Sequence, residues 1–193
     1  MNQLFLVVIL SFCSLAHGRS AFFDTFPILQ AEHPTLRMLA QEVELNEIDS
    51  PRFKSFIKDM FTTMKRNSGV GLAAPQINFS KKIFVMGGFL TGVKKRVMIN
   101  PEVEFIGEPD KISREACLSA HEHGPQRVPR YSKVYVSYYD ENGQFFEQEF
   151  SGYTAIVIQH EYDHLLGKLV IDYDESLYPW IEADNYVEIP YPL

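Results

Sequence analysis

The sequence His-Glu-Tyr-Asp-His at residues 160–164 constrains the chain more than any other feature. Residues four apart lie on one face of a helix, so both imidazoles can reach a single metal ion. Glu161 lies about 100° around the helix from His160, where its carboxylate can move protons without binding the metal. Apolar neighbours such as Ile158 and Leu165 predict a largely buried helix. Two histidines on an exposed helix face are the alternative, but buried ionisable groups need partners, and a metal ion is one.

A third metal ligand must come from elsewhere, because catalytic metal sites usually take three protein ligands and keep one position open for water. The chain has two cysteines, Cys117 and Cys13, and the second lies in an amino-terminal leader. A buried cysteine is often only a small hydrophobic residue. A thiolate, however, binds Fe²⁺ or Zn²⁺ well. We therefore predict that Cys117, His160 and His164 are the metal ligands.

Residues 69–76 (Gly-Val-Gly-Leu-Ala-Ala-Pro-Gln) form a glycine-containing segment upstream of these ligands. The segment is not a phosphate loop, because Gly-x-x-x-x-Gly-Lys is absent and Pro75 would break a following helix. Two glycines spaced two apart let the backbone approach a ligand closely. The side-chain amide of Gln76 can donate to a developing oxyanion.

The order of helices and strands indicates the fold class. Ser50 and Pro51 predict the start of an amphipathic helix, and a second helix is expected at about residues 152–166, with Gly167 as its carboxyl-terminal cap. Strands are predicted at residues 82–86, 96–100, 101–107, 134–139 and 145–150, the last two joined as a hairpin. Because strands occur in a run with helices before and after, we predict an α+β fold. Mainly antiparallel sheets should pack around a central metal-binding helix that carries the His-Glu-x-x-His motif.

Composition sets the domain organisation and excludes one class of partner. A chain of 193 residues with 46% hydrophobic and 22% charged residues suits one globular domain, which we place at residues 19–172. The formal net charge of -7 argues against a nucleic-acid-binding protein, which needs a basic face. Residues 173–193 are acidic and end in Pro-Tyr-Pro-Leu, so an irregular tail is expected. We expect a monomer.

The first eighteen residues differ from the rest of the chain. An apolar run from Leu4 to Leu10 is followed by Ala-His-Gly at positions 16–18, an A-x-A-like arrangement with small residues at both ends, which is the pattern of a secretory signal peptide. No lysine or arginine precedes the run, so a non-functional extension from an upstream start codon is the alternative. We expect residues 1–18 to direct export, to the periplasm or outside the cell. If they do not, the protein is cytoplasmic, and it would contact a membrane only through an uncleaved leader.

Three segments, in chain order, resemble the signature of the peptide deformylase family. The family pattern is Gly-(hydrophobic)-Gly-Leu-Ala-Ala-Pro-Gln, then Glu-Gly-Cys-Leu-Ser, then Gln-His-Glu-x-Asp-His-Leu-x-Gly. Residues 69–76 and 159–167 match the first and third in full, and residues 115–119 depart from the second only at Ala116. The resemblance covers roughly residues 26 to 172.

The resemblance implies a metal-dependent hydrolase that removes the formyl group from N-formylmethionyl peptides and releases formate. The predicted ligands would hold one divalent metal ion, Fe²⁺ in the family, with Zn²⁺, Ni²⁺ or Co²⁺ as substitutes. Glu161 would take a proton from the attacking water and later protonate the leaving amine. Besides the metal, the backbone N–H of Leu118 and the side-chain amide of Gln76 would stabilise the oxyanion.

The same resemblance implies the residues that contact the substrate. Val70 and Gly71 would lie along the substrate backbone. The methionine pocket would be lined by Tyr153, Ile156, Val157 and the stem of Glu115, for which plain core packing is the alternative. Glu115 and Arg130 would form a supporting ion pair. Ala116 would add a Cβ where the substrate backbone passes, and this would lower affinity if its φ is positive.

Two other functions are compatible with parts of the pattern. A zinc endopeptidase shares His-Glu-x-x-His but takes its third ligand from downstream, where no histidine remains and the candidates are Glu175, Glu182 and Glu188. A non-catalytic peptide binder with a deformylase-like fold would not need Glu161, which is present together with all three ligands.

Overall fold

The computed structural model describes residues 25–88, 91–181 and 186–188, so the predicted leader at residues 1–18 lies outside the described part. Its helices are α1 (Leu45–Ile48), α2 (Pro51–Arg66) and α3 (Gly152–Leu165). Its strands are β1 (Gly71–Ala73), β2 (Ile83–Gly88), β3 (Val93–Phe105), β4 (Lys111–Glu115), β5 (Gln126–Arg130), β6 (Lys133–Tyr139), β7 (Phe145–Ser151) and β8 (Tyr186–Glu188). Within these residues no helix combines the length and the apolarity that crossing a bilayer requires.

The strands form two sheets. The larger sheet has the order β1-β2-β3-β6-β7 and is antiparallel throughout. The smaller sheet has the order β5-β4-β8, in which β4 pairs antiparallel with β5 and parallel with β8. The predicted α+β fold with mainly antiparallel sheets is therefore confirmed.

Helix α3 is the central helix of the fold, and residues 155–165 are buried without exception. Its apolar residues join those of β2, β3, β6 and β7 in one core cluster. The helix ends as predicted, because Gly167 has a φ of 73° and its N–H donates to the carbonyl of His164 at 3.3 Å. The N–H of Lys168 donates to the carbonyl of Asp163 at 2.9 Å, which completes a Schellman cap. This burial gives the polar residues of α3 fixed positions.

Helix α2 covers the other side of the larger sheet. It begins as predicted, with the Ser50 hydroxyl accepting from the N–H of Phe53 at 3.2 Å and Pro51 in the first turn. Its apolar face, which includes Ile57 and Met60, packs into a second core cluster with residues of β1, β2 and β3. The apolar stripe of this helix is therefore core, and it supports β1 from behind.

Strand β3 runs continuously through Asn100 and Pro101, where we predicted two separate strands. Asn100 adopts a φ of 48°, and the pairing with β6 shifts register between Ile99 and Glu102. The Asn100 side chain compensates locally, because it accepts from the N–H of Val43 at 2.8 Å and donates to its carbonyl at 2.9 Å. A bulge thus accommodates the proline without ending the strand.

The carboxyl-terminal tail is more regular than we predicted. Strand β8 pairs with β4, and a short 3-10 turn forms at Glu175–Leu177. The indole of Trp180 donates to the carbonyl of Pro109 at 3.1 Å. The expectation of an irregular tail is therefore wrong for these residues, because the edge of β4 away from β5 offers backbone groups for pairing.

Candidate metal centre

Cys117, His160 and His164 converge on one point in the interior. Their candidate ligand atoms lie within 4.8 Å of one another, and all three residues are buried. Cys117 Sγ lies 3.4 Å from Nε2 of His164. The two histidines share a face of α3, as their spacing predicts, and Cys117 sits in the turn that follows β4. The structure thus brings together the three residues predicted as ligands.

The chemistry of these donors suits a metal ion. Nδ1 of His160 is engaged by Glu115, whereas its buried Nε2 has no hydrogen-bond partner among the described residues. Burial lowers the pKa of His164 well below its usual range and keeps this imidazole neutral, the form that binds metals. Burial raises the pKa of the Cys117 thiol to about 12, and nearby carboxylates act in the same direction. A thiolate at this position therefore requires a cation beside it.

Glu161 has a buried carboxylate without a hydrogen-bond partner among the described residues. Burial, and next the charge of Glu115, raises its pKa well above the usual range, so the group is poised to hold a proton. The carboxylate fills the space in which a side chain at Gly71 would project, and a Cβ there would overlap Oε1 of Glu161. Sequence reasoning assigned this glycine to close approach of a ligand, and the structure shows that the catalytic candidate itself fills the space.

Gln76 and Leu118, the predicted oxyanion donors, lie next to Cys117. Gln76 is buried, and its Oε1 accepts from the N–H of Ala73 at 2.8 Å, which fixes the orientation of the amide. Its Nε2 donates to the Ser119 hydroxyl at 3.2 Å and lies 3.8 Å from Cys117 Sγ. The carbonyl of Leu118 accepts from Gln30 at 3.3 Å. The positions suit the predicted roles, which remain predictions.

The predicted substrate-contacting residues lie on or next to β1, β4 and α3, the elements beside the metal centre. Val70 is buried, and its carbonyl accepts from the N–H of Gly87 at 2.8 Å. Gly71 belongs to β1, which lies at the edge of the larger sheet and is paired there with β2 alone among the described strands. The pocket residues Ile156 and Val157 share one core cluster with Val70, and Tyr153 packs against it. The φ of Ala116 is not positive, so the condition for the predicted loss of substrate affinity is not met.

Glu115 connects His160, a predicted metal ligand, to Arg130. Arg130 donates from Nε and Nη2 to the two carboxylate oxygens at 2.8 and 2.7 Å, which is the predicted ion pair. Burial opposes ionisation of Glu115, but the charge and hydrogen bonds of Arg130 outweigh it and lower the pKa to about 2. The carboxylate is 2.8 Å from Nδ1 of His160 and accepts a hydrogen bond from its N–H. The proton stays on Nδ1, so the lone pair of Nε2 is available to a metal ion. Sequence reasoning missed this second role of Glu115.

Sequence reasoning also missed Asp163 and Tyr173. Nη1 of Arg130 donates to Asp163 at 2.6 Å, and the Tyr173 hydroxyl lies 2.9 and 2.8 Å from the two oxygens of the same carboxylate. A carboxylate on a helix predicted to be buried needs a partner, and that signal could have identified Asp163. Tyr173 gives no comparable signal, because only the fold brings it to α3.

Of the downstream glutamates, Glu175 has a described side chain, and it is not among the residues that converge at the metal centre. Glu175 pairs with Arg127 at 2.7 Å. Glu182 and the side chain of Glu188 lie outside the described part. Cys117 stands at the third ligand position, which disfavours the zinc endopeptidase alternative.

An α+β domain that holds a buried Cys-His-His set beside an unpaired glutamate defines a metal-dependent hydrolase. The family model of polypeptide deformylases matches residues 25–179. The peptide deformylase of Pseudothermotoga lettingae is 45% identical over 139 residues, which are 72% of this chain and 77% of the relative. The chain belongs to the polypeptide deformylase family.

Solved structures of the family have the same fold. The class I type b peptide deformylase from Acinetobacter baumannii, bound to the ligand K1U, superposes with a TM-score of 0.72 at 33% identity, covering 77% of this chain and 99% of that one. The same enzyme bound to Met-Ala-Ser superposes with a TM-score of 0.69 at 29% identity, covering 77% and 97%.

Proposed function

We propose that this chain removes the formyl group from N-formylmethionyl peptides and releases formate, with a divalent metal ion held by Cys117, His160 and His164. The observation that carries the proposal is the convergence of three buried ligand atoms beside the unpaired carboxylate of Glu161. When bound, the ion would supply Lewis-acid activation of water and of the formyl carbonyl. Membership of the deformylase family supports the choice of substrate.

Glu161 acts as the acid and base of the reaction. Its carboxylate accepts a proton from the attacking water and returns it to the leaving amine, and its burial favours the protonated form between these steps. Gln76 and the backbone N–H of Leu118 donate to the carbonyl oxygen as negative charge develops. The amide of Gln76 is suited to this because Ala73 anchors its oxygen and directs its nitrogen toward Cys117.

The substrate peptide lies along β1. An edge strand can pair with an extended peptide, which places Val70 and Gly71 beside the substrate backbone. The methionine side chain would enter the apolar region formed by Tyr153, Ile156, Val157 and the stem of Glu115. The Met-Ala-Ser complex of the Acinetobacter baumannii relative supports a peptide with an amino-terminal methionine.

We propose Fe²⁺ as the native metal, with Zn²⁺, Ni²⁺ or Co²⁺ able to replace it. One thiolate and two imidazoles form a donor set that suits these ions and does not suit Mg²⁺ or Ca²⁺, which prefer oxygen ligands.

We also propose that residues 1–18 direct export. The apolar run from Leu4 to Leu10 supports this, and the family match, which starts at residue 25, leaves it outside the catalytic domain.

A paired assay tests the proposed reaction. The purified protein is offered formyl-Met-Ala-Ser and acetyl-Met-Ala-Ser, and formate, acetate and metal content are measured. We expect formate release that depends on bound metal, with little acetate, because a site shaped for a formyl group lacks room for the extra methyl. Equal turnover of both peptides, or cleavage between residues of the unformylated peptide, would contradict the proposal.

A further inference from the structure

A chain of polar contacts links Tyr173 to the metal ligand His160. The Tyr173 hydroxyl donates to Asp163, whose carboxylate receives Nη1 of Arg130 at 2.6 Å. The rest of the Arg130 guanidinium binds Glu115 at 2.7 and 2.8 Å, and Glu115 lies 2.8 Å from Nδ1 of His160. Every contact is within hydrogen-bond distance, so the position of each side chain depends on the next.

Arg130 must serve two carboxylates in this network. Arg130 and Glu115 have side chains that are 2% and 0% exposed, and Asp163 is 11% exposed, so water competes little for either acid. Two donors of the guanidinium are committed to Glu115, which leaves Nη1 for Asp163 at 2.6 Å and, at the longer distance of 3.4 Å, for the Tyr173 hydroxyl oxygen. Tyr173 supplies a donor that reaches both oxygens of Asp163. Without it, Asp163 would draw more strongly on the guanidinium and compete with Glu115.

The ring of Tyr173 is itself held in place. Lys168 Nζ lies 4.3 Å from the ring centroid, and the Arg130 guanidinium carbon lies 5.2 Å from it. The residue follows the 3-10 turn Val170–Asp172, in which the N–H of Leu169 donates to the Asp172 carboxylate at 2.8 Å. This arrangement fixes the direction in which the hydroxyl points.

We infer that Tyr173 is a positioning residue of the metal centre: by donating to Asp163 it keeps Arg130 on Glu115, and Glu115 in turn fixes the ring of His160. The inference rests on the proposed role of His160 as a ligand. Partners behind metal ligands typically change metal affinity by about 10- to 100-fold when they are removed. Tyr173 does not touch His160 and acts on it through Arg130 and Glu115, chiefly by way of Asp163, so an effect near the lower end is expected.

The experiment uses Tyr173→Phe in the full chain, which removes one hydroxyl and keeps the ring. Wild type and variant are loaded with Co²⁺, whose absorption bands report ligand geometry, and challenged with a chelator. We expect shifted Co²⁺ bands and metal release about 10-fold faster than in wild type. Tyr138→Phe is the matched control, because it removes another largely buried hydroxyl, one that accepts from Gln148 at 2.9 Å within the β6–β7 hairpin.

A second comparison tests the route through Asp163. In an Asp163→Asn background, Tyr173→Phe should add much less than it does alone, since the effect passes chiefly through that carboxylate and the direct bond from Arg130 to the Tyr173 hydroxyl is long, at 3.4 Å. Unchanged bands and release rate in Tyr173→Phe would overturn the inference, as would equal effects of Tyr138→Phe or full additivity with Asp163→Asn. A wild-type protein that takes up no Co²⁺ would instead overturn the proposed function, and this inference with it.

Discussion

Gly71 and Glu161 compete for the same space at the centre of the site, and this decides what residue 71 can be. We predict that Gly71→Ala displaces the carboxylate and lowers deformylation by about 10²-fold or more, the usual contribution of a positioned acid or base. Metal content should stay close to that of wild type, because none of the three ligands is touched. Metal analysis and formate release measured on the same sample check both parts.

Gly88→Ala is the control for that substitution. It adds the same methyl group on β2, where the nearest atom is the rotatable hydroxyl of Thr91 at 2.5 Å. This variant should keep most of its activity. Should Gly71→Ala remain as active as Gly88→Ala, Glu161 does not need its present position for catalysis.

Removing the carboxylate itself gives a separate prediction. Glu161→Gln is nearly isosteric and cannot accept the proton of the attacking water, so kcat should fall by roughly 10²- to 10⁴-fold. Bound metal should be retained, whereas His164→Ala should lose both metal and activity. The two variants are compared by metal analysis after gel filtration. A Glu161→Gln enzyme that turns over at the wild-type rate would show that the proton is carried by another group.

The convergence of the three predicted ligands could be inferred from sequence, two of them by local helix geometry and the third by elimination. His160 and His164 are four residues apart on one helix, and Cys117 was the one cysteine left for the domain. The side chains that position these ligands could be predicted only in part. Tyr173 reaches Asp163 through contacts that depend on the folded chain, and no spacing in the sequence encodes them.

At the scale of elements, the end of α3 is fixed by contact with the amino-terminal segment. Gly167 has a φ of 73°, and a Cβ there would lie 2.8 Å from the carbonyl carbon of Arg37 and 2.9 Å from its oxygen. We predict that Gly167→Ala is destabilising by more than the roughly 1–2 kcal/mol that a left-handed backbone costs a non-glycine residue. Because α3 carries the site, activity should fall with stability.

Gly143→Ala is the control, because it measures the loss of stability from a left-handed backbone without a steric contact. Gly143 has a φ of 75°, and apart from its chain neighbours no atom of the described residues lies within 4 Å of its hypothetical Cβ. The loss of stability in Gly143→Ala should therefore stay at roughly 1–2 kcal/mol. Urea unfolding of both variants gives the difference. Equal losses would mean that the contact with Arg37 relaxes without cost.

Elements with strong local signals were predicted well, and those that depend on pairing were not. Ser50 with Pro51 and Gly167 marked the helix ends because caps act within one turn. The bulge at Asn100 needs a side-chain bond to Val43, 57 residues away, and β8 needs the exposed edge of β4. Such long-range partners leave no periodic trace in the sequence.

At the scale of the whole molecule, the buried ion pair links stability to pH. The pKa of Glu115 is lowered from 4.5 to about 2 in the folded protein, because Arg130 outweighs the effect of burial. The resulting stabilisation is complete above the unfolded pKa and is lost as the pH falls from about 4.5 toward 2. Urea unfolding with a chelator present, so that metal release does not contribute, should show this loss. In a Glu115→Gln variant the free energy of unfolding should depend less on pH between about 4.5 and 2. An unchanged dependence on pH would assign the acid sensitivity to other groups.

The leader at residues 1–18 determines the predicted location of the protein in the cell. Its run from Leu4 to Leu10 is apolar, and the family match starts only at residue 25, so the run is not part of the matched domain. Left attached, it would favour aggregation or membrane association, and removal at residues 16–18 would avoid this. We predict that the protein isolated from its native cell lacks residues 1–18 and is found in an exported fraction, as amino-terminal sequencing and fractionation would establish.

The absence of a basic residue before Leu4 weakens the signal, so adding lysine at position 2 or 3 should raise export if the leader is functional. An intact Met1 on a cytoplasmic enzyme would refute export and leave the assignment of the metal centre unchanged.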